Sequence, residues 1–364
     1  MKLGIPKEQN DNRVAIVPAT LAKLKDLVLD INVETGAGAG AMYEDEEYAA
    51  HAKVLNRTEL LQQSDIILSI NPLSDNELQS LRPDTAVVSL FQPYLDASVT
   101  DKLRQWQLRG FSFDMIPRTT LAQAMDVLSS MASVAGYKAV LEAARYLPRY
   151  FPMMITAAGS IPPAKVLVLG AGVAGLQAIA TARRLGAMAE AFDTRAAAKE
   201  EVLSLGAKFV EVEGARDEKG AGGYAVEQSE EFLQRQRAEV QARAAKSDIV
   251  ITTAQVRGRK APVLLLKETV EQMKRGSVIV DLAASTGGNC ELTQNDQVIQ
   301  HKGVTIIGDS NLAALMPQDA SVLFSNNALN FFKVLIHKGT LNLDMNNEII
   351  RGAYFTAQPV EANQ

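Results

Sequence analysis

A glycine-rich segment near the middle of the chain has the spacing of a phosphate-binding loop. Gly170, Gly172 and Gly175 fit the pattern G-x-G-x-x-G, directly after the apolar run VLVL and directly before the amphipathic run AGLQAIATARRL. In such a strand-to-helix turn the first glycine permits a tight turn, the second lets a pyrophosphate approach the backbone, and the third allows close packing. The N–H groups at the helix start, those of Val173 and Ala174 among them, would hold the phosphates. The pattern predicts a dinucleotide site, with a packing loop that binds no ligand as the alternative.

An acidic residue ends the next apolar run, at the distance expected for such a loop. Asp193 lies 23 residues after Gly170. A carboxylate at this place accepts hydrogen bonds from the adenosine ribose and repels a 2′-phosphate, by about 1–4 kcal/mol at ~4 Å. Arg195 favours the opposite choice, because a nearby arginine can accommodate a 2′-phosphate. We expect Asp193, Thr194 and Arg195 to contact the nucleotide, and NAD(H) to be preferred over NADP(H).

A second glycine-rich segment, Gly36-Ala37-Gly38-Ala39-Gly40, is a weaker candidate. It also follows an apolar run, but its third glycine comes one residue too early for the pattern. No acid-ended strand is predicted after it at the right distance. We therefore predict a loop here, with a second nucleotide site as the less favoured alternative.

Apolar runs alternate with amphipathic runs along both halves of the chain. The apolar runs are continuous in Val, Ile and Leu, which is typical of strands buried on both faces. Strand and helix alternating at this rhythm predict parallel sheets covered by helices, so the fold class is α/β with two Rossmann-like, doubly wound domains. The predicted strands cover residues 2–5, 31–34, 66–70, 85–90, 110–113, 166–169, 187–192, 208–212, 249–252, 278–281 and 305–307.

Two long segments mark where the chain passes between the predicted domains. Residues 123–147 hold no proline and one glycine, which predicts an unusually long helix. Residues 151–163 follow as a connector with Pro and Gly, and residues 319–338 predict a second long helix that returns to the first domain. The predicted domains are 1–126 plus 318–364, of N-terminal type, and 127–317, which binds the dinucleotide.

The composition excludes several kinds of protein and site. The 364 residues carry 37 basic and 42 acidic side chains, and this net charge of −5 argues against a nucleic-acid partner. One cysteine and three histidines are too few for a metal centre, and no metal is predicted. Residues 166–182 lack charge, but they are short for a membrane span and contain the glycine loop. We expect a soluble, intracellular protein without membrane insertion or a targeting segment.

Several segments around these motifs resemble one protein family. They are GIPKEQNDNRVAIVP, PRTTLAQAMDVLSSMASVAGYKAV, FPMMITAAGSIPPAKVLVLGAGVAGLQAIATARRLGA, DTRAAAKEEVLSLGAKF, GGYA, VIVDLAASTGGNC and DASVLFSNNALNFF. Together they are similar to the NAD(H)-binding domain of proton-translocating nicotinamide nucleotide transhydrogenase, which is related to alanine dehydrogenase. The resemblance covers nearly the whole chain and implies two Rossmann-like domains joined by long helices, with NAD(H) in the cleft between them.

The resemblance also implies functional residues outside the glycine loop. Four positions match residues that hold the dihydronicotinamide ring in the family: Arg118, Gln123, Asp126 and Ser129. A spacing of three would place the last three on one face of the long helix, and Arg118 could pair in bidentate fashion with Asp126. By residue type alone, a helix cap and a solvated arginine would be the simpler interpretation.

Two further loops are implied to lie at the nucleotide. Gly223 and Tyr224 match a mobile loop that closes over the bound nucleotide, and an ordinary exposed loop is the alternative. Ala254 matches the loop after a cofactor-facing strand. The next five residues, 255–259, read QVRGR where the family usually has LIPGK. This departure leaves the role of that loop open.

The residues expected of an amino-acid dehydrogenase are missing. Where alanine dehydrogenases carry a lysine, a histidine and an acid, this chain has Ser69 or a neighbour, Gln92 or Pro93, and Ser285. Oxidation of an amino acid needs a base to remove a proton as hydride leaves. Hydride transfer between two nicotinamides needs proximity, orientation and exclusion of water instead. Arg13 matches a position that binds substrate carboxylate in alanine dehydrogenase, and we interpret it as structural or as a remnant.

The resemblance implies a subunit of a larger transhydrogenase. Hydride would pass between NADH on this chain and NADP⁺ on a partner domain, coupled to proton translocation by a separate subunit. The expected partners are a membrane-spanning proton-channel subunit, an NADP(H)-binding subunit and a second copy of this chain. The expected location is cytoplasmic, peripheral at the inner face of the plasma membrane. The alternatives are an amino-acid dehydrogenase with a rewired site and a non-catalytic module that senses NAD(H).

Overall fold

Two separate, mainly parallel sheets organise the chain, each within its own unit. The computed structural model describes residues 1–27, 29–195, 197–212 and 230–357. Unit 1 comprises Met1–Met131 and Ala313–Gln364, and unit 2 comprises Ala132–Leu312. The predicted domain borders, 1–126 plus 318–364 and 127–317, stay predictions beside these units.

The elements follow one another in the order that a doubly wound fold requires. Unit 1 begins with β1 (Lys2–Ile5), α1 (Pro18–Lys25), β2 (Asp30–Glu34), α2 (Asp45–Ala49), β3 (Lys53–Leu55), α3 (Arg57–Gln63), β4 (Ile66–Leu68), α4 (Asp75–Ser80), β5 (Ala86–Ser89), α5 (Ser98–Gln105), β6 (Arg109–Ser112) and the first residues of α6 (Val127–Tyr146). Unit 2 continues with β7 (Met154–Thr156), β8 (Gly159–Ile161), β9 (Lys165–Leu169), α7 (Val173–Arg184), β10 (Met188–Phe192), α8 (Ala198–Ser204), β11 (Lys208–Phe209), α9 (Glu230–Lys246), β12 (Ile249–Thr252), α10 (Lys267–Gln272), β13 (Val278–Asp281), β14 (Val298–His301) and β15 (Val304–Ile307). The chain then returns to unit 1 with α11 (Pro317–Leu335), β16 (Ile336–His337), β17 (Thr340–Leu341) and α12 (Glu348–Ala353).

In the main sheet of unit 1, the described residues form six parallel strands in the order β3-β2-β1-β4-β5-β6. The order reverses between β1 and β4, and ligands of doubly wound sheets commonly bind beside such a switch point. Successive residues of a strand point to opposite faces. Ile66 and Leu68 lie in one core cluster and Ile67 in another, so both faces are buried. The α/β fold predicted from the sequence is confirmed for this unit.

Helix α11 supplies much of the aromatic core of unit 1. The ring of Phe113 lies 5.3 Å from that of Phe324 and 5.4 Å from that of Phe331, centre to centre. Phe332 on the same helix is fully buried. The core begun by the first strands is therefore completed by residues more than 200 positions later in the chain.

The main sheet of unit 2 repeats the same strand order with an added edge. Its described strands run β11-β10-β9-β12-β13-β15-β14, and among them β14 alone pairs antiparallel. Val166 and Val168 face one core cluster, and Leu167 and Leu169 face the other. The switch point lies between β9 and β12, which places the glycine loop after β9 directly beside it.

The sequence patterns missed the shortest elements. Strands β3, β7 and β8 and helices α2 and α12 each span at most six residues, too few to show a period. The β7–β8 pair lies within the predicted connector 151–163. Strand β14 is a half-exposed edge strand with few consecutive apolar residues. These additions lie beside the predicted parallel strands and do not interrupt them.

The structure gives two further negative findings, both limited to the parts of the chain that it describes. No helix there is both long and apolar enough to cross a membrane. Within the same ranges, no three histidine, cysteine or acidic side chains meet in a way that could hold a metal ion.

Candidate dinucleotide-binding site

The glycine loop forms an open turn between β9 and α7. Gly170 has φ +102°, and a Cβ there would lie 2.5 Å from Oγ1 of Thr253, so this position requires glycine. Gly172 is the N-cap residue of α7, and the helix has no side-chain cap. A Cβ on Gly172 would meet none of the described atoms within 4 Å. The uncapped N–H groups and their partial positive charge therefore face accessible space, which suits a pyrophosphate.

Two close approaches fix the start of α7. A Cβ on Gly175 would overlap the carbonyl oxygen of Gly170, so the helix can pack against the strand end without a side chain between them. A Cβ on Gly136 of α6 would overlap the carbonyl oxygen of Ala174. Gly136 was not among the predicted site residues. Its signal in the sequence was its place as the lone glycine of a long helix, which usually has a packing reason.

Asp193 lies at the end of β10, beside the glycine loop. Its Oδ2 accepts the N–H of Ala171 at 2.7 Å, so the carboxylate and the loop are in direct contact. Arg195 donates to the same carboxylate through Nε at 3.0 Å and Nη2 at 3.0 Å. Burial would raise the pKa of Asp193, but the bonds from Arg195 and from the two backbone N–H groups outweigh it and lower the pKa below 3.8. The carboxylate is therefore ionised at neutral pH.

The other predicted residues of this site have simpler surroundings. Thr194 is exposed next to Asp193, and Val173 at the start of α7 is 45% exposed. Ala174 occupies the next position of that helix. Gly223 and Tyr224 lie outside the described residues.

Ala254 is held by a side chain that was not predicted. Asn289 accepts the N–H of Ala254 at 3.0 Å and donates to its carbonyl at 2.8 Å. Asp281 in turn accepts the N–H of Asn289 at 2.7 Å. The loop after β12 is thus anchored to the strand end of β13. The signal in the sequence was an asparagine directly after two glycines. Its amide can both donate to and accept from one backbone position, as it does at Ala254.

The predicted ring-holding residues belong to unit 1, and two of them form a compact cap. Asp126 accepts the N–H of Ser129 at 2.8 Å through Oδ1 and its hydroxyl at 2.6 Å through Oδ2. This cap makes α6 begin at Val127, so the prediction of a helix from residue 123 was wrong by one turn. Gln123 lies in a 3₁₀ segment, Thr120–Met125, and the three side chains do not share one α-helical face.

Arg118 does not form the expected bidentate pair. Its Nε lies 4.0 Å from Oδ2 of Asp126, and its side chain is 73% exposed. Ser129 takes one position on each carboxylate oxygen, and the separation of 4.0 Å is too long for a hydrogen bond from the guanidinium. The arginine is therefore a solvated cation beside the Asp126 cap.

The 3₁₀ segment is held by helix α11. Asn327 and Asn330 both donate to the carbonyl of Ala124, at 2.8 Å and 3.3 Å. Asn327 is buried, so its bond fixes the backbone next to Gln123 more firmly than an exposed contact would. Neither asparagine was predicted, because the contact joins positions about 200 residues apart.

Arg13 is structural in this fold. Asp11 binds its guanidinium through both carboxylate oxygens, at 3.0 Å to Nε and 2.5 Å to Nη2. Both side chains are almost fully buried. Burial would raise the pKa of Asp11, but the guanidinium lowers it below 3.8.

A cavity of about 570 Å³ lies near the switch point of unit 1, lined in part by Ser69 and Glu8. The Glu8 carboxylate accepts the N–H of Ile70 at 2.6 Å and that of Asn71 at 3.0 Å. Burial raises the pKa of Glu8 above its ordinary value of 4.5, against the opposing effect of these bonds. Among the residues compared in the sequence with the catalytic positions of alanine dehydrogenases, Ser69 is buried and Ser285 is exposed.

The second glycine segment is accounted for by packing. A Cβ on Gly38 would lie 2.7 Å from the ring of Tyr48, and one on Gly40 would lie 2.6 Å from the carbonyl oxygen of Asn12. Gly36 has φ +69°, which favours glycine for conformational reasons. The segment leads into a short 3₁₀ turn, Ala39–Ala41, rather than into an α-helix.

Comparisons with known proteins identify the family to which this chain belongs. Family models described as "Alanine dehydrogenase/PNT, N-terminal domain" and "Alanine dehydrogenase/PNT, C-terminal domain" match residues 4–135 and 139–360. The chain is 42% identical to an NAD(P) transhydrogenase subunit alpha polypeptide of Rhodospirillum rubrum, over 96% of this chain and 94% of that polypeptide. It is 42% identical to NAD(P) transhydrogenase subunit alpha of Haemophilus influenzae, over 97% of this chain and 70% of that protein.

A solved structure supports the same assignment. The crystal structure of transhydrogenase from Sinorhizobium meliloti matches with a TM-score of 0.89 at 41% identity, and the match covers 97% of each chain. The resemblance found in the sequence is thereby confirmed. Matched by both family models, the chain belongs to the alanine dehydrogenase/PNT family.

Proposed function

We propose that this chain binds NAD(H) in unit 2 and acts as the NAD(H)-binding subunit of a proton-translocating transhydrogenase. The observation that carries the proposal is the open space beside Gly172 at the uncapped start of α7, in a loop whose Ala171 contacts the ionised Asp193. The names of the relatives from R. rubrum and H. influenzae support the same activity.

Each proposed residue has a distinct task in this mechanism. When bound, NADH supplies the hydride that is transferred. The N–H groups of Val173 and Ala174 hold the pyrophosphate, and Asp193 accepts hydrogen bonds from the adenosine ribose. The nearby cation Arg195 influences which nucleotide is accepted. Tyr224, with Gly223, is proposed to close over the nucleotide, and Ala254 to line the site.

The residues of unit 1 are proposed to aim the nicotinamide ring. The Asp126–Ser129 cap provides a fixed polar group, and the side chains of Gln123 and the exposed Arg118 carry donors of the kind that a ring carboxamide can accept. No proton acceptor is required, because the transfer of a hydride between two nicotinamides releases no proton. The residue types at Ser69, Gln92, Pro93 and Ser285 support this reaction over amino-acid oxidation, which needs a base.

The partners follow from the proposed reaction. We propose an NADP(H)-binding subunit that presents the acceptor ring and a membrane-spanning subunit that conducts protons. We also propose that the chain works as a homodimer at the cytoplasmic face of the plasma membrane. The naming of the relatives as subunits supports an assembly of more than one kind of chain.

The first experiment tests nucleotide binding. Titration of the chain with NADH and NADPH, followed by nucleotide fluorescence, should show a preference for NADH. Asp193→Asn should weaken NADH binding by about tenfold, because an amide is a poorer acceptor for ribose hydroxyls. The exposed Glu211→Gln on the neighbouring strand end is the matched control and should leave both affinities unchanged. Absence of NADH binding to the wild-type chain would refute the proposal.

The second experiment tests the roles in unit 1. With an NADP-binding partner domain added, single-turnover hydride transfer should be slowed by Arg118→Ala, Gln123→Ala and Asp126→Ala more than NADH binding is weakened. A misplacement of ~1 Å in the reacting atoms can cost about a hundredfold in rate. Variants that lose binding while keeping the saturated rate would show that these residues anchor the nucleotide instead. NAD-dependent oxidation of alanine by the isolated chain would favour the amino-acid dehydrogenase.

A further inference from the structure

The chain itself fills the hydrogen-bonding positions of the Asp193 carboxylate. Oδ1 accepts the backbone N–H of Arg195 at 2.8 Å and its Nε at 3.0 Å. Oδ2 accepts the N–H of Ala171 at 2.7 Å and Nη2 of Arg195 at 3.0 Å. An ionised carboxylate has about four lone-pair positions, so these four bonds leave none for a ligand. A ribose hydroxyl can donate to Asp193 once one of these bonds is broken.

The two bonds from the guanidinium are the ones that can break at least cost. Their loss also breaks a longer bond from Nη2 of Arg195 to the carbonyl of Ala171, at 3.3 Å. Both backbone donors are fixed by the turns that carry them. The side chain of Arg195 is 58% exposed, whereas that of Asp193 is 8% exposed, so the guanidinium can move into water while the carboxylate stays in place. Its departure frees one position on each carboxylate oxygen. A ribose diol has two hydroxyls to donate, which matches the two positions released.

We infer that Arg195 is an internal competitor for the ribose site, and that its guanidinium holds the diol position on Asp193 until a nucleotide displaces it. The inference rests on the proposed binding of NAD(H) by unit 2. Arg195 would then influence nucleotide specificity by competing with the ribose of the preferred nucleotide, NADH. This effect is separate from that of its positive charge at the surface.

Displacement has the opposite consequence for a nucleotide with a 2′-phosphate. The freed guanidinium remains tethered two residues from Asp193, and arginine pairs strongly with phosphate oxygens. The cation then offsets part of the repulsion between that phosphate and the carboxylate. Arg195 therefore weakens the binding of NADH and reduces the discrimination against NADPH.

The test is the variant Arg195→Ala, with nucleotide dissociation constants measured at fixed ionic strength. The NADH dissociation constant should fall by about threefold to fivefold, the range expected when an exposed ion pair no longer has to be broken. The NADPH dissociation constant should rise by a similar factor. Arg195→Gln is a second variant, and it should change both constants in the same directions if the alanine variant is unstable.

Lys199→Ala is the matched control for charge. Lys199 pairs with Glu211 on the surface rather than with Asp193, so its loss removes the same charge without opening the carboxylate. It should leave the discrimination between NADH and NADPH unchanged. If Lys199→Ala reproduces the effect of Arg195→Ala, a general charge effect explains the result and the inference is overturned.

A double variant separates competition from direct contact. In an Asp193→Asn background, Arg195→Ala should no longer tighten NADH binding, because the guanidinium then has no carboxylate to occupy. If Arg195→Ala weakens both nucleotides, the arginine contacts the ligand directly, and the inference is overturned while the proposed function stands. If the wild-type chain binds no NADH, the proposed function itself is refuted, and the inference with it.

Discussion

The two main sheets share one strand order, but they differ at the switch point where that order reverses. The chain fills this position in unit 1 and leaves it open in unit 2. In unit 2, a three-residue turn joins β9 to α7, and the space beside Gly172 is open. In unit 1, a longer connection follows β1 and carries the buried Glu8, whose carboxylate accepts the N–H groups of Ile70 and Asn71. Backbone N–H groups that a bound anion could use are open in unit 2, whereas those in unit 1 are satisfied by the chain's own carboxyl group.

The difference teaches that strand order does not by itself create a nucleotide site. Both sheets have the topology that favours ligand binding at the switch point. What separates them is whether the chain fills that position with its own groups. The glycine segments follow the same rule, because the ring of Tyr48 occupies the space beside Gly38 while no described atom occupies the space beside Gly172.

The largest effect is expected at Gly175, where helix α7 packs closely against the glycine loop of unit 2. Gly175→Ala forces a Cβ into the carbonyl oxygen of Gly170, and the backbone must shift. We expect a loss of about 3 kcal/mol or more in the free energy of unfolding of unit 2, at the upper end of overpacking effects. NADH binding should be lost with it. Chemical denaturation and NADH titration measure both quantities, and a variant within about 1 kcal/mol of wild type would contradict the packing argument.

The next effect tests the internally filled switch point of unit 1. Glu8→Ala leaves the N–H groups of Ile70 and Asn71 without their acceptor, which should cost about 2 kcal/mol. The vacated position should now attract an added anion, so sulfate should raise the melting temperature of the variant more than that of the wild type. NADH affinity, assigned to unit 2, is the control and should stay unchanged. An equal response to sulfate in both proteins would contradict the comparison.

A smaller effect separates binding from packing at the open loop. Gly172→Ala meets no described atom, and the unfolding free energy should change by less than about 1 kcal/mol, because alanine is a poorer N-cap residue than glycine but also restricts the unfolded chain. The added methyl group would occupy the space proposed for the pyrophosphate, so the NADH dissociation constant should rise about tenfold, equivalent to ~1.4 kcal/mol. Gly38→Ala is the matched counterpart in unit 1, where stability should fall and NADH affinity should not change. The reverse pattern would show that the second loop is the binding loop.

The smallest effect concerns the pH dependence of stability. Glu8 has a raised pKa, so its contribution is fully present below 4.5 and is lost as pH rises through that raised pKa. Asp193 has a lowered pKa, so its contribution is present above 3.8 and is lost as pH falls through the lowered value. Urea unfolding across this range should show opposite slopes for the changes caused by Glu8→Gln and Asp193→Asn. Slopes of the same sign would contradict the assigned environments.

The sequence was sufficient where chemistry depends on neighbouring residues. The glycine turn, the apolar strand before it and the acid at the end of the next strand are local patterns, and the structure brings Ala171 and Asp193 into contact as such patterns require. The continuous apolar runs likewise predicted strands with both faces buried. The parallel α/β fold followed from these local signals.

The sequence was insufficient where a contact joins distant positions. Glu8 reaches Ile70 across the sheet, and Asn327 of α11 reaches the carbonyl of Ala124, and no spacing rule links these pairs. The start of α6 was misplaced for a different reason. Residues 123–126 have a helical apolar pattern, but the Asp126 carboxylate binds the N–H of Ser129 and stops the helix there, because capping outweighed periodicity.

Unit 1 is built from both ends of the chain, and this division governs the order in which the two units can fold during synthesis. On a ribosome that adds about 5–20 residues per second, the segment of unit 2 takes on the order of ten seconds or more to emerge. During that time the first sheet lacks the core contacts made by Phe324, Phe331 and Phe332 of α11. The ring of Phe113 then has no aromatic partner from that helix. Unit 2 is encoded without interruption and can close its core first. The nascent chain therefore exposes the unfinished apolar core of unit 1 until α11 has been synthesised.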